Sequence, residues 1–247
     1  MIFDYVPPAR PKQRRRASRR LLSLNFGWMP SVLKSSLLAA LFFAAAFTAA
    51  PVARAQVAEH YTLKNEIGVW AGYSPDSPHV IGITSERQLI VLAAHYGRTL
   101  WERDAFALQW TVDVAPLEMV LQPKITGVIP PPPQTIFVEG HREYVYGFGL
   151  HPLGLRMNFL RQRRLQPFLA STAGFVASLN AVPVDVPQGT KFNFTFDFQG
   201  GVQWFNHAHD RAWTFGYRLD HISNANRASL NPGMDGHVVF LGYSFFR

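Results

Sequence analysis

Cysteine is absent from all 247 residues, which rules out disulfides, thiolate metal ligands and a cysteine nucleophile. Charge is scarce: Asp, Glu, Lys and Arg make up 16% of the chain, hardly more than the 14% that is Phe, Tyr and Trp. The formal net charge of +8 comes from one end of the chain. Residues 1–55 hold nine Lys or Arg against the single acid Asp4, and the remainder holds fifteen of each sign. A nucleic-acid module carries its cationic charge on the folded part, so no nucleic acid is expected as a partner. Also missing is the G-x-S-x-G elbow of soluble lipase-like hydrolases. After Gln56 almost no stretch has helical periodicity.

The one long uncharged run lies near the start. Met29 opens a segment with one lysine, Lys34, then the run Ser35 to Val52, then the small-x-small pattern Ala53-Arg54-Ala55. That is the pattern of a secretory leader cleaved after Ala55. The competing reading is a membrane anchor, since the run approaches the ~17 residues that span a bilayer; the cleavage pattern that follows at once favours the leader. Residues 1–28 are either an extended leader region or lie upstream of a true start at Met29. The expected division is therefore 1–55, N-region and leader, and 56–247, the exported body.

That body breaks into eight segments of alternating or nearly alternating polarity, bounded by Gly, Pro, Asn and Asp. They are Glu66 to Tyr73, Gln88 to Leu100, Ala105 to Leu117, Glu143 to Met157, Gln166 to Leu179, Phe192 to Asn206, Ala212 to Ser223 and Gly236 to Phe246. The sixth is the most telling. Phe192, Phe194, Phe196 and Phe198 share one face, and Asn193, Thr195, Asp197 and Gln199 share the other. An aromatic face suits contact with hydrocarbon, and a polar opposite face suits a barrel interior. Alternation fits equally a soluble barrel or sandwich with its apolar face inward. The leader, the strand lengths, the even strand number and the aromatic content together favour the membrane. We therefore expect an all-β, eight-stranded antiparallel transmembrane barrel in the outer membrane, closed because an open edge in lipid would leave backbone groups unpaired. Lys124 to Gly140, with Pro130 to Pro133 inside it, reads as a long extended connection. Parity of the strands puts this connection, and the turn after the seventh strand, on the outer side.

Candidate chemistry concentrates in Tyr217 to Gly236, YRLDHISNANRASLNPGMDG. His221 and Ser223 are two apart in a strand and so share a face. Pairing with the next strand can bring Asp235 against them. Base, nucleophile and orienting acid are the ingredients of acyl transfer to serine. The bland reading is that Ser-Asn-Ala and Asn-Pro-Gly are turn punctuation and His221 an interior polar residue. Arg98, Arg156, Arg218 and Arg227 are candidates for a phosphorylated ligand, with interior pairing to Asp113, Asp197 and Glu143 as their alternative. His207 and His209 read as part of an inner-side turn. No metal and no cofactor is expected.

The segment GYRLDHISNANRASLNPGMDG, the GTKFNF pattern before it and the closing GYSF resemble the lipid A 3-O-deacylase (PagL) family, whose relatives include proteins labelled acyloxyacyl hydrolase. The likeness covers most of Glu66 to Phe246 and is strongest from Arg164 onward. It implies an eight-stranded outer-membrane barrel that removes the ester-linked 3-O-acyl chain of lipid A, with lipopolysaccharide and outer-membrane lipids as partners and a homodimer left open. On this resemblance His221 is the general base, Ser223 the nucleophile, Asn231 an oxyanion-hole residue and Asn224 a neighbour that shapes the site. Arg218 and Arg227 are the head-group candidates within the same stretch. The chain departs from the family at the acid: glutamate is expected fourteen residues after the histidine, and Asp235 stands there. Either the backbone lies closer or the carboxylate falls about 1 Å short, which costs on the order of 10²-fold in rate. A non-catalytic structural barrel with a degenerate site is the rival reading.

Overall fold

In the computed structural model, residues 64–129, 135–186 and 188–247 are described. The leader, the Met29 start, the cleavage after Ala55 and the four prolines all lie outside these residues. Eight strands are present: β1 (Asn65–Ser74), β2 (Gln88–Glu102), β3 (Phe106–Ile129), β4 (Thr135–Phe159), β5 (Leu165–Val182), β6 (Thr190–Phe205), β7 (Arg211–Ser223) and β8 (Met234–Phe246). Each pairs antiparallel with the next, and β1 pairs with β8 to close the ring. Every strand thus has two partners, the condition for a sheet to stand in hydrocarbon.

The faces settle which way the alternation points. Phe194, Phe196 and Phe198 on β6 and Trp213, Phe215 and Tyr217 on β7 are exposed outward. The residues between them, Asn193, Thr195, Asp197, Thr214, Arg218 and Asp220, are buried inside the ring. A water-soluble barrel would reverse this order, because exposed aromatics over a polar core gain nothing from water. The inverted pattern is that of an outer-membrane-type multi-pass barrel.

Beside a buried apolar cluster that includes Trp70, Leu89, Val91, Ile222, Val238 and Phe240, the interior holds a lattice of charge-assisted hydrogen bonds. The Arg218 guanidinium lies 2.6 Å from Asp197 Oδ2 and donates also to Thr172. Arg156 pairs with Glu66 and donates to Gln109 Oε1. His95 meets Asp113 at 2.6 Å, and His151 meets Glu118 at 3.3 Å. Since buried ionic groups hold only when paired, these contacts tie together seven of the eight strands.

The ends of the barrel differ. Connections 103–105, 160–164 and 206–210 are short, while 75–87, 183–189 and 224–233 at the other end are longer. Short inner turns and longer outer loops are the habit of such barrels, so the second end is the outer one. His207 and His209 lie in the 206–210 turn at the inner end.

One expectation fails. Residues 124–129 and 135–140 belong to strands, not to a loop: β3 and β4 run 24 and 25 residues, against 10 to 18 for the other six. Lys-Ile-Thr-Gly-Val-Ile and Thr-Ile-Phe-Val-Glu-Gly alternate and are rich in β-branched residues, so they continue the pairing on either side of the prolines. Outward of Leu121 and Gly147 these two strands pair only with each other. They form a two-stranded hairpin rising from the outer rim.

Candidate active site

β7 runs from the inner to the outer end, and its odd-numbered residues from Trp213 to Ser223 face outward. His221 and Ser223 therefore stand at the outer end of the lipid-facing wall. Register sets their neighbours: on one side Phe196 is opposite His221 and Phe194 opposite Ser223, and on the other His221 is opposite Asp235. A directly opposed pair puts its side chains within reach, and His221 Nδ1 lies 2.7 Å from Asp235 Oδ1.

The shorter acid is held from behind. Asp235 Oδ2 accepts hydrogen bonds from the backbone N–H groups of Val80, Ile81 and Gly82, at 2.7, 2.7 and 2.9 Å. These three residues belong to the β1–β2 connection, which folds back over the start of β8. As a result Asp235, although on the outward face, is 1% exposed in its side chain, whereas His221 is 18% exposed. All partners of the carboxylate are donors, and a carboxylate can only accept. The imidazole proton therefore sits on Nδ1, leaving Nε2 free to accept. That is the tautomer a general base requires.

The β1–β2 connection is itself tied down. Ile83 N–H donates to Pro232 O at 2.8 Å, and the Thr84 hydroxyl donates to Gly233 O at 2.7 Å. Its approach depends on two glycines. A Cβ at Gly82 would stand 2.7 Å from Gly233 C and 2.8 Å from Gly233 O and Met234 N. Gly233 has φ +62°, and a Cβ there would press on His221 Cε1 at 3.0 Å. The Asn-Pro-Gly turn thus does more than reverse the chain: its glycine lets two backbones meet behind the imidazole.

The rest of the β7–β8 loop is organised by its asparagines. Arg227 N–H returns to Asn224 O at 3.1 Å across Ala225 and Asn226, both with positive φ, the conformation of a type I′ turn. Asn231 Oδ1 accepts from Asn224 N–H at 3.0 Å, and Asn231 Nδ2 donates to Asn226 Oδ1 at 3.1 Å, leaving one amide hydrogen unused among the described residues. Asn224 is buried, its Nδ2 donates to Leu230 O at 2.8 Å, and its Oδ1 has no hydrogen-bond partner among the described residues. Ser223 is followed directly by this asparagine. No hydrogen bond joins its hydroxyl to His221 among the described residues.

The arginines separate. Arg227 is exposed and lies over the rings of Phe192 and Phe194, at 5.5 and 5.8 Å, beside Ser223. Arg218, expected as a head-group contact, points into the barrel and is 2% exposed. It pairs there with Asp197, 2.6 Å away, and sits 3.8 Å from Asp220. Parity is the reason: three residues before His221 is the opposite face. Arg156 is likewise interior, and Arg98 lies towards the inner end of β2, far from Ser223. Asp220 shares the interior with Arg218, so it cannot orient the histidine.

Two features of this wall escaped the sequence reading. The Val80–Gly82 backbone carries no side-chain signature, although an aliphatic Val-Ile-Gly-Ile run inside a connection was a visible anomaly. The second is a pair deeper on the same outward face, Tyr217 hydroxyl with His237 Nδ1.

The family described as lipid A 3-O-deacylase (PagL) matches residues 94–244, which include the whole β7–β8 region. No curated protein matches the chain. Among solved structures, the outer membrane enzyme PagL is similar at 15% identity, over 73% of this chain and 98% of that one, with a TM-score of 0.48. Neisserial surface protein A is similar at 10% identity, over 73% and 96%, with a TM-score of 0.44. OprG from Pseudomonas aeruginosa is similar at 9% identity, over 74% and 96%, with a TM-score of 0.42.

Proposed function

The chain belongs to the lipid A 3-O-deacylase (PagL) family, and on that premise we propose that it is a serine esterase of the outer membrane that removes the ester-linked 3-O-acyl chain of lipid A. The observation that carries this reading is the His221–Asp235 pair at 2.7 Å on the lipid-facing wall, with Ser223 two residues along the same face. Polar groups rarely face hydrocarbon without a task.

The chemistry follows from the tautomer. With Nδ1–H engaged by Asp235, His221 Nε2 takes the Ser223 proton as Oγ attacks the ester carbonyl. The charge that develops on the carbonyl oxygen is met by backbone N–H groups and by the unused amide hydrogen of Asn231. The sugar alcohol leaves with the proton held on Nε2. Water, activated by the same nitrogen, then releases the fatty acid from Ser223. Throughout, the acyl chain lies along Phe194 and Phe196 without leaving hydrocarbon. Arg227, cationic at the rim, takes a phosphate of the head group. Export by a leader ending at Ala55 belongs to the same proposal; amino-terminal sequencing of the membrane-inserted protein tests it.

The rival reading, a barrel without the activity, has one observation in its favour: the Ser223 hydroxyl is not hydrogen-bonded to His221. Catalytic hydrogen bonds commonly tighten only when substrate binds. Mass spectrometry of lipid A from cells expressing the wild type or Ser223→Ala decides. Loss of one 3-linked acyl chain only with Ser223 present supports the esterase; an unchanged lipid A profile with properly folded wild-type barrel refutes it.

A further inference from the structure

The β1–β2 connection does two things at once. Its backbone presents three consecutive N–H groups to Asp235 Oδ2. The same residues and their neighbour expose large aliphatic side chains: Val80 is 48% exposed, Ile81 60% and Ile83 72%. Exposed aliphatics are unremarkable singly, but here three crowd into four residues of an otherwise polar loop. They lie over the start of β8, two strands from the outward Phe194, Phe196 and Phe198 of β6. The loop is anchored to β8 through Pro232 and Gly233 and can lie this close only because residue 82 lacks a Cβ.

From this we propose that the segment Val80–Ile83 is a positioning element of the site, seated by lipid. Its N–H groups hold the Asp235 carboxylate at the position from which Oδ1 meets His221 Nδ1 at 2.7 Å. Its aliphatic side chains engage acyl chains of the outer leaflet, so that contact with lipid holds the loop and the loop holds the acid. Val80, Ile81 and Gly82 are positioning residues acting through Asp235; none meets the reacting atoms. The activity side of this inference rests on the esterase reading, while the hydrogen-bond geometry stands apart from it.

The experiment uses the full barrel, in detergent with a soluble short-chain p-nitrophenyl ester and in vesicles containing lipopolysaccharide. Gly82→Ala displaces the loop and is expected to lower kcat by about 10²-fold with little change in KM, as a roughly 1 Å misplacement does. The low-field proton resonance of the His221 Nδ1–H···Asp235 bond should vanish while heat-modifiable gel migration, the test of a folded barrel, is retained. Asp235→Glu in the Gly82→Ala background should recover activity over Gly82→Ala alone, because a longer acid reaches the ring without the loop. Val80→Ser, Ile81→Ser and Ile83→Ser combined should reduce the ratio of vesicle to soluble-ester turnover by about tenfold or more, given the apolar area removed. Wild-type kcat and an intact resonance in Gly82→Ala would overturn the positioning claim. An unchanged turnover ratio in the triple variant would overturn the lipid claim. If the wild type itself shows no Ser223-dependent turnover, the esterase reading fails, and the resonance in wild type against Gly82→Ala still decides the positioning.

Discussion

Two polar clusters sit back to back on the same stretch of β7, and they differ in what they leave open. On the inner face Arg218 and Asp220 join Asp197, Thr172 and His151 in a sealed network, its charged groups almost wholly withdrawn from solvent. On the outer face His221 is held on one side by Asp235 and is partly exposed on the other, towards Ser223. The inner cluster puts most of its contacts into joining strands, with Arg218 Nε and Asp220 Oδ1 left without hydrogen bonds among the described residues. The outer one keeps a lone pair on Nε2 unspent. A residue's parity along one strand thus decides whether the same kinds of side chain act as braces or as reagents.

The comparison breaks most sharply at Ser223 and His221, the proposed nucleophile and base. Ser223→Ala or His221→Ala should reduce deacylation by about 10⁴-fold or more, with the unfolding midpoint in urea unchanged; a parallel loss of stability would show that the outer cluster is also a brace. Asp235→Asn keeps the shape but reverses the hydrogen-bond polarity at Oδ1 or Oδ2. It should cost on the order of 10²- to 10⁴-fold in kcat by destabilising the Nδ1–H tautomer, measured on the soluble ester. Arg218→Met should do the opposite: it strands Asp197 and Asp220 in the interior and should destabilise the barrel by about 3–5 kcal/mol, read by equilibrium unfolding in detergent, while the folded fraction keeps its kcat. Phe198→Arg, on the lipid face below the site, should cost about 2–4 kcal/mol if that position lies near the bilayer midplane and less if it lies near an interface. Tyr217→Phe, which removes only the partner of His237, should change stability by about 1 kcal/mol or less.

Much of this was readable before any coordinates. The strand number, and the spans of every strand but β3 and β4, followed from period-two alternation, and the Phe192–Phe198 face correctly announced an outward aromatic wall. The meeting of His221 with Asp235 was legible because both face outward across a single antiparallel turn. Strand parity also decides between the two readings of Arg218: three residues before His221 is the opposite face, which favours the interior pairing with Asp197 over the head-group role. The 124–140 segment misled because prolines dominate its centre, while the alternating β-branched residues on either side are the stronger signal for pairing. The cradle around Asp235 was beyond reach for a different reason. It is made of main-chain N–H groups, identical at every non-proline position, and only the fold of the 75–87 connection aims them.

The unequal heights of the strands bear on how a bulky lipid reaches the site. In a ring of eight, the β3–β4 seam lies diametrically across from the β7–β8 seam. The tall hairpin therefore rises on the far side of the ring from Ser223. On the proposed reading, a glycolipid moving sideways within its leaflet meets Ser223 beside the 75–87 and 224–233 connections, with the tall hairpin out of its way.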